Sequence, residues 1–306
     1  MQPTKLNPPH LLFHLAQPYS LLGGILVYAM GVGVSFYLGQ HIDWVVYWLG
    51  QAWVTLMQIS SYLLKAYFDH SDLALRRLQR EKKLEGVTVP SLELPRPLIL
   101  QAAITPLAIG AVITVLLIAR EALHLHAEII LLIAFLLTFF YGVPPFRLVY
   151  SGYGELSQAI VVANIVPAFG FVLQTGVLHR ILAMLTFPLT ALFLAMALAV
   201  SLKNYPIDLR FGINSLMVRM GWQRGMNLHN ILILFAYLLL ILATIFGLPW
   251  ALTWPGLLTL PLGIAQIWQI IRIFDGAKPR WRLLDFGSVA LFVITAYLIT
   301  FTLWKG

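Results

Sequence analysis

The stretch Ile181-Leu-Ala-Met-Leu-Thr-Phe-Pro-Leu-Thr-Ala-Leu-Phe-Leu-Ala-Met-Ala-Leu-Ala-Val-Ser-Leu202 carries no charge, and it ends abruptly in Lys203-Asn-Tyr-Pro-Ile-Asp-Leu-Arg-Phe-Gly212. About 20 apolar residues are what an α-helix needs to cross roughly 30 Å of hydrocarbon. Runs of the same kind recur near 20–39, 44–66, 98–119, 127–142, 156–178, 228–248, 253–273 and 286–304. Barrel strands would be shorter and would alternate polar with apolar residues, and these runs do not. The sequence therefore predicts an all-α, polytopic membrane bundle of about nine transmembrane helices, built as one domain over 1–306. Its 60% hydrophobic and 10% charged residues, with a mean hydropathy of +0.84, lie far from the usual globular mixture. Met1-Gln-Pro-Thr-Lys5 is too thinly charged, and the run behind it too long, for a cleaved signal peptide. Without cysteine the chain can form neither a disulfide nor a thiolate metal site.

A net charge of +8 raises the question of nucleic acid, and the distribution of that charge answers it. With nine spans, the N-terminus and the loops after spans two, four, six and eight share one side. Of the 20 Lys and Arg, only Arg120, Arg180 and Lys305 fall on the other side. The positive-inside rule places the crowded side in the cytoplasm, most simply of a plasma or bacterial inner membrane. Topology accounts for the basicity, so the expected partner is a lipid bilayer and no nucleic acid is required.

The polar signals sit in two long loops on that crowded side. Tyr62-Leu-Leu-Lys-Ala-Tyr-Phe-Asp-His-Ser-Asp72 closes span two, and Lys203 to Gly221 follows span six. Their matching places suggest two four-helix units related by an internal repeat, plus a ninth helix, with one site shared between the two loops. Ionisable clusters at a membrane edge are costly and tend to have a task. Lys65, Asp69, Asp72 and Arg76 follow one helical stripe, on which Asp69 and Asp72 present oxygens suited to Mg²⁺. The plainer reading is a solvated helix end with i,i+4 ion pairs worth tenths of a kcal/mol. Asn204 and Asp208 are also four apart, but Pro206 between them predicts a kink that misaligns them. Lys203 and Arg210 flank them as candidate clamps for an anion. A third segment, Tyr141-Gly-Val-Pro-Pro-Phe-Arg-Leu-Val-Tyr-Ser-Gly-Tyr-Gly-Glu155, reads as a tight hairpin stopped by Pro144 and Pro145, with Glu155 at the start of span five favoured by the helix dipole. His124 and His126 lie on the far side without a third ligand, and polar residues inside spans, such as Gln58 and Ser60, are ordinary.

In order and spacing these segments resemble the UbiA-type membrane prenyltransferases over most of the chain. Gln17-Pro-Tyr-Ser-Leu21 is similar to that family's opening Arg-Pro-x-Thr/Ser-Leu. Lys65-Ala-Tyr-Phe-Asp69, followed by Asp72, stands where the family has Asn-Asp-Tyr-x-Asp and a further Asp. Pro95-Arg96-Pro97-Leu98 looks like its Arg-Pro-Leu element. Pro144 to Glu155, Lys203-Asn-Tyr-Pro206 and Gly212 to Gly221 are most similar to the dihydroxynaphthoate polyprenyltransferase branch. The resemblance implies a reaction in which Mg²⁺ and basic residues stabilise the diphosphate leaving a polyprenyl chain, and an aromatic quinone precursor takes up the allylic cation. It makes Asp69, Asp72 and Asp208 the expected metal ligands and catalytic acids. Lys65, Arg96, Lys203, Asn204, Arg210, Tyr141 and Glu155 become the expected substrate contacts.

The pattern is altered where it matters most. Lys65 and Ala66 replace the first motif's Asn and Asp, Gln17 replaces the opening Arg, and the second motif is shortened between Pro206 and Gly212. A lysine at that place neutralises phosphate charge without bridging oxygens as a metal does. Two alternatives follow: a diverged protein that binds a prenyl lipid or quinone without turning it over, or a secondary transporter. The transporter is disfavoured because its ionisable residues would be expected near the bilayer midplane.

Overall fold

The computed structural model describes residues 8–15, 18–69 and 94–305. Helices follow one another along the chain: α1 (Pro8–Leu15), α2 (Pro18–Tyr37), α3 (Trp44–Asp69), α4 (Arg96–Ala119), α5 (Leu125–Gly142), α6 (Gly154–Thr175), α7 (Arg180–Phe211), α8 (Leu216–Met220), α9 (Trp222–Ile245), α10 (Trp250–Phe274) and α11 (Trp281–Lys305). No strand occurs among the described residues. The reason is elementary: lipid offers no partner to a backbone N–H or C=O, so each segment must satisfy its own. Eight of these helices are long and apolar enough to span a membrane. The ninth expected span, α3, has 26 residues but is less apolar, because Gln51, Gln58, Ser60, Ser61, Lys65 and Asp69 all lie on it.

Helix ends follow the local chemistry. Asp43 opens α3, its Oδ1 accepting from the N–H of Val45 at 2.8 Å and of Val46 at 3.1 Å, as an N-cap should. Gly212, at φ +66°, ends α7 in the left-handed conformation that glycine adopts without a Cβ penalty. Two proline effects are opposite. Pro206 does not end α7, which continues to Phe211, so the expected span end near 202 lies nine residues short. Pro167 lacks the N–H that would serve Ala163, and a π turn over Val161–Ile165 precedes it inside α6. The span expected over 253–273 is interrupted around Leu258–Thr259.

α2, α6, α7 and α11 form the centre: the spanning windows of α2 and α6 are 61% buried, against 17% for α5 and 22% for α10. The outer helices turn residues such as Val115, Leu234 and Trp268 outward, as lipid-facing surfaces do. The two halves pack alike. The most extensive neighbour contacts are α3 on α4 in the first and α7 on α9 in the second, equivalent pairs if the chain is a repeat of four spans plus one. At the centre Gly31 of α2 lies against the Pro167 carbonyl of α6 so closely that no Cβ fits between them. The polar helix α3 is fastened on both flanks, Ser60 Oγ donating to the Ala103 carbonyl of α4 at 2.9 Å and Ser61 Oγ to the Thr138 carbonyl of α5 at 2.7 Å.

Candidate functional site

One end of the bundle gathers the polar segments, and the loop from Val143 to Tyr153 is what gathers them. α5 stops at Gly142, pressed against the Lys65 backbone: a Cβ there would stand 2.6 Å from the Lys65 Cα. The loop then folds back over the last turn of α3. Arg147, at φ +39°, donates from a terminal guanidinium nitrogen to Asp69 Oδ1 at 3.0 Å. Tyr150, in the 3₁₀ turn Leu148–Tyr150, donates its hydroxyl to Asp69 Oδ2 at 2.9 Å. Lys65, one turn back along α3, donates to the same Oδ2 at 3.0 Å. Asp69 is only 4% exposed and thus lies between two cations and a phenol. Burial is the largest cause pushing the Tyr150 phenol up to about 12, with Asp69 also raising it and Lys65 opposing.

The same loop reaches the second acidic stretch. Gly152 N–H donates to the Asn214 carbonyl at 3.0 Å. Glu155, in the first turn of α6, accepts from Ser201 Oγ of α7 at 2.9 Å through Oε1 and from the Leu216 N–H at 3.1 Å through Oε2. Arg219 of α8 stacks on the Tyr153 ring, 4.3 Å from its centroid. The segment expected to be a plain hairpin is a bracket between the two acid-bearing loops.

The expected site residues separate accordingly. Lys65 and Asp69 meet in one cluster. Asp208 and Asn204 lie one turn apart on an unbroken helix, so the misalignment expected from Pro206 does not occur. Lys203 faces Asp285 of α11 at 3.9 Å. Arg96 lies over the Tyr67 ring at 4.6 Å, and Arg210 over Phe211 at 5.5 Å. Glu155 is occupied in fastening loops. Tyr141 packs edge-on against Tyr62, ring centroids 6.4 Å apart. Asp72 lies outside the described residues. Arg147, Tyr150 and Asp285 were not among the expected site residues. The signal for Arg147 and Tyr150 is the clustering of aromatics, glycines and one arginine in 141–155, in which the arginine reads equally as one of the many basic residues on that side.

What the arrangement offers chemically is a pair of cations held side by side by one buried carboxylate. Both oxygens of Asp69 accept hydrogen bonds in this arrangement, so it serves as the counter-ion of Lys65 and Arg147. Among the described residues no three His, Asp or Glu side chains converge on one point. The aligned Asn204 and Asp208 are hard oxygen donors of the kind Mg²⁺ takes in ones and twos beside phosphate oxygens.

One to two turns along α3 from Lys65, on the seam of α3, α5 and α6, a narrow crevice of about 30 Å³ is lined by Gln58, Ser61, Tyr62, Tyr141, Ser157 and Gln158 among others. The Tyr62 hydroxyl accepts from Gln158 Nε2 at 2.8 Å and pairs with Ser20 Oγ at 2.6 Å.

Comparison with known proteins agrees with this architecture. No curated protein matches the sequence. Among solved structures, a UbiA homologue from Archaeoglobus fulgidus bound to DMAPP and Mg²⁺ superposes with a TM-score of 0.65 at 16% identity, covering 94% of this chain and 98% of the other. An apo UbiA homologue from Aeropyrum pernix K1 gives 0.63 at 14% identity over 96% and 98%. A digeranylgeranylglyceryl phosphate synthase gives 0.62 at 14% over 98% and 99%. At such identities the likeness is one of fold, while the sequence profile of the UbiA prenyltransferase family matches residues 25–294. The chain belongs to the UbiA prenyltransferase family.

Proposed function

We propose that this chain transfers a polyprenyl group from its diphosphate to an aromatic quinone precursor, nearest in kind to the dihydroxynaphthoate branch, with its site on the cytoplasmic face of a plasma or inner membrane. The carrying observation is the paired cations Lys65 and Arg147, held by the buried Asp69 carboxylate at the end of the bundle that gathers the polar segments. Support comes also from the A. fulgidus relative, crystallised with GPP and Mg²⁺ as well as with DMAPP.

In the reaction, the C1–O bond of the prenyl diphosphate breaks and the diphosphate leaves with the electron pair. A ring carbon of the acceptor forms the new C–C bond and the ring then loses its proton. Lys65 and Arg147 meet the phosphate oxygens, and the attraction of this preorganised positive charge grows as the leaving group develops negative charge. Asp69 orients both cations, and Tyr150 fixes the carboxylate. Asp208, with Asn204 and with Asp72, would hold Mg²⁺, which when bound neutralises charge on the diphosphate. Lys203, Arg96 and Arg210 extend the positive surface around that entry. The apolar walls below exclude water from the cation.

The test is binding of geranylgeranyl diphosphate to purified protein in nanodiscs, with and without Mg²⁺. The expected result is binding that weakens without Mg²⁺, in Asp208→Asn and in Lys65→Gln. Affinity indifferent to all three would overturn the reading. A second reading, a non-catalytic prenyl-lipid binder, is favoured by the engagement of Asp69 with Lys65, Arg147 and Tyr150. It requires binding without any transfer to a panel of dihydroxynaphthoate, hydroxybenzoate and homogentisate acceptors.

A further inference from the structure

Where α10 turns into α11, the chain carries a charge that the site does not use. Arg272 lies in the last turn of α10, Lys278 and Arg280 in the connection, and Arg282 in the first turn of α11. All four are exposed. Lys65, Arg147 and Lys203 each face a carboxylate. By contrast, none of these four side chains makes an ion pair or a hydrogen bond among the described residues. One acid, Asp275, stands among them, and Asp285 beyond them faces Lys203. Four cations so close along the chain repel one another, and an anion between them relieves that repulsion.

The flanks of this patch are apolar and turned outward. Along α10, Ile264, Trp268 and Ile271 recur at i, i+4 and i+7 and form one exposed stripe. Arg272 closes that stripe at the site end of the bundle, its guanidinium 4.9 Å from the Trp268 ring centroid. On α11, Leu283 and Phe286 follow Arg282, and Phe286 is 73% exposed. The inner faces hold the two helices together: Gln266 of α10 meets Gly287 of α11 so closely that no Cβ fits there. Only residues 275–280 join the helices, so both outward faces end in cations at the same end of the bundle. An apolar surface headed by cations without partners matches an amphiphile with an anionic head and hydrocarbon tails. A soluble polyanion would leave the stripes uncovered. A zwitterionic lipid would cover them and bring no net charge.

We propose that the site end of α10 and α11 binds the headgroup of an anionic phospholipid, with an acyl chain lying along the Ile264, Trp268 and Ile271 stripe. The guanidinium groups of Arg272, Arg280 and Arg282 suit phosphate oxygens, and Lys278 adds a point charge. Trp268 already holds Arg272 in place, so less side-chain freedom is lost on binding. This binding is independent of prenyl transfer. α10 packs on α9 and α11, and neither Lys65 nor Arg147 takes part.

The test places the full chain in phosphatidylcholine nanodiscs with a trace of spin-labelled phosphatidylglycerol or spin-labelled phosphatidylcholine, and reads the motionally restricted fraction of each. One cation beside an anionic lipid surface is worth about fivefold in affinity. Wild-type protein should therefore prefer phosphatidylglycerol by about tenfold or more. The triple variant Arg272→Gln, Arg280→Gln, Arg282→Gln should lose most of that preference. The charge-matched variant Arg80→Gln, Lys82→Gln, Lys83→Gln, in the 70–95 connection, should keep it. No preference in wild type overturns the proposal. Equal loss in the two triple variants also overturns it, because the attraction would then belong to the basic surface as a whole. Displacement of the lipid by millimolar glycerol 3-phosphate would make this a site for soluble phosphate and overturn the lipid assignment. If the first triple variant does not fold, Arg272→Gln alone decides: a loss of about fivefold supports the site and no loss overturns it.

Discussion

Asp69, expected as a metal ligand, is in this structure the shared counter-ion of Lys65 and Arg147. Its side chain is 6% exposed, and those of Lys65 and Arg147 are 25% and 20% exposed. Removing the shared carboxylate takes from Lys65 and Arg147 their common counter-charge, and breaking a buried pair in this way typically costs about 3–5 kcal/mol. Because both cations keep some solvent, Asp69→Asn is expected to cost roughly 2 kcal/mol by that principle, read from the thermal midpoint in nanodiscs. Adding Lys65→Met should recover part of the loss, since one of the two cations that lost its counter-charge goes with it. A double variant no better than the single would mean that Lys65 is solvated independently of Asp69. Tyr150 carries a pH dependence. Its phenol titrates near 12 in the folded protein against about 10 in an unfolded chain. The folded state therefore binds the proton more tightly, so this contribution is whole below pH 10 and is lost as pH climbs from 10 through 12. Tyr150→Phe should lower stability at neutral pH and lose less of it than wild type between pH 10 and 12. Parallel losses in the two proteins would remove Tyr150 from the account.

At the scale of elements, the sequence was most readable where hydropathy alone decides. Span positions such as 127–142 against Leu125–Gly142 differ by two residues, because a charge-free run has no other place to go. It was less readable where partners are far apart in the chain. Arg147 reaches Asp69 across 78 positions, and no local pattern encodes such a meeting. The proline rule misled at Pro206 because one missing N–H is tolerated when neighbouring helices hold the segment. The bracket loop makes two predictions of this rank. Gly142→Ala drives a Cβ onto the Lys65 backbone, which cannot step aside as a flexible side chain could. It should cost about 1–3 kcal/mol, as overpacking does, and weaken geranylgeranyl diphosphate binding, because the loop that carries Arg147 shifts with it. Glu155→Ala removes the acceptor for Ser201 and for the Leu216 N–H. It should cost about 1–2 kcal/mol yet leave diphosphate affinity unchanged in the folded fraction. A selective loss of affinity would return Glu155 to the substrate contacts.

The whole molecule places every element of the site at one end: the C-termini of α3, α5 and α7 and the starts of α4, α6 and α11. That end also carries nearly all the basic residues, which is why it is argued to face the cytoplasm. The fold itself says nothing about direction, since a helical bundle packs the same way up or down. Charge asymmetry is the sole physical basis for the orientation, and the chain permits a clean check because it contains no cysteine of its own. Single cysteines can be placed at Lys278, on the α10–α11 connection at the site end, and at Leu178, on the α6–α7 connection at the other end, both exposed. A membrane-impermeant maleimide should label Lys278→Cys only in inverted vesicles and Leu178→Cys only in right-side-out ones. The opposite pattern would put the cation cluster outside, where a cytoplasmic prenyl diphosphate could not reach it, and the proposed transfer would fail on topology before any chemistry was measured.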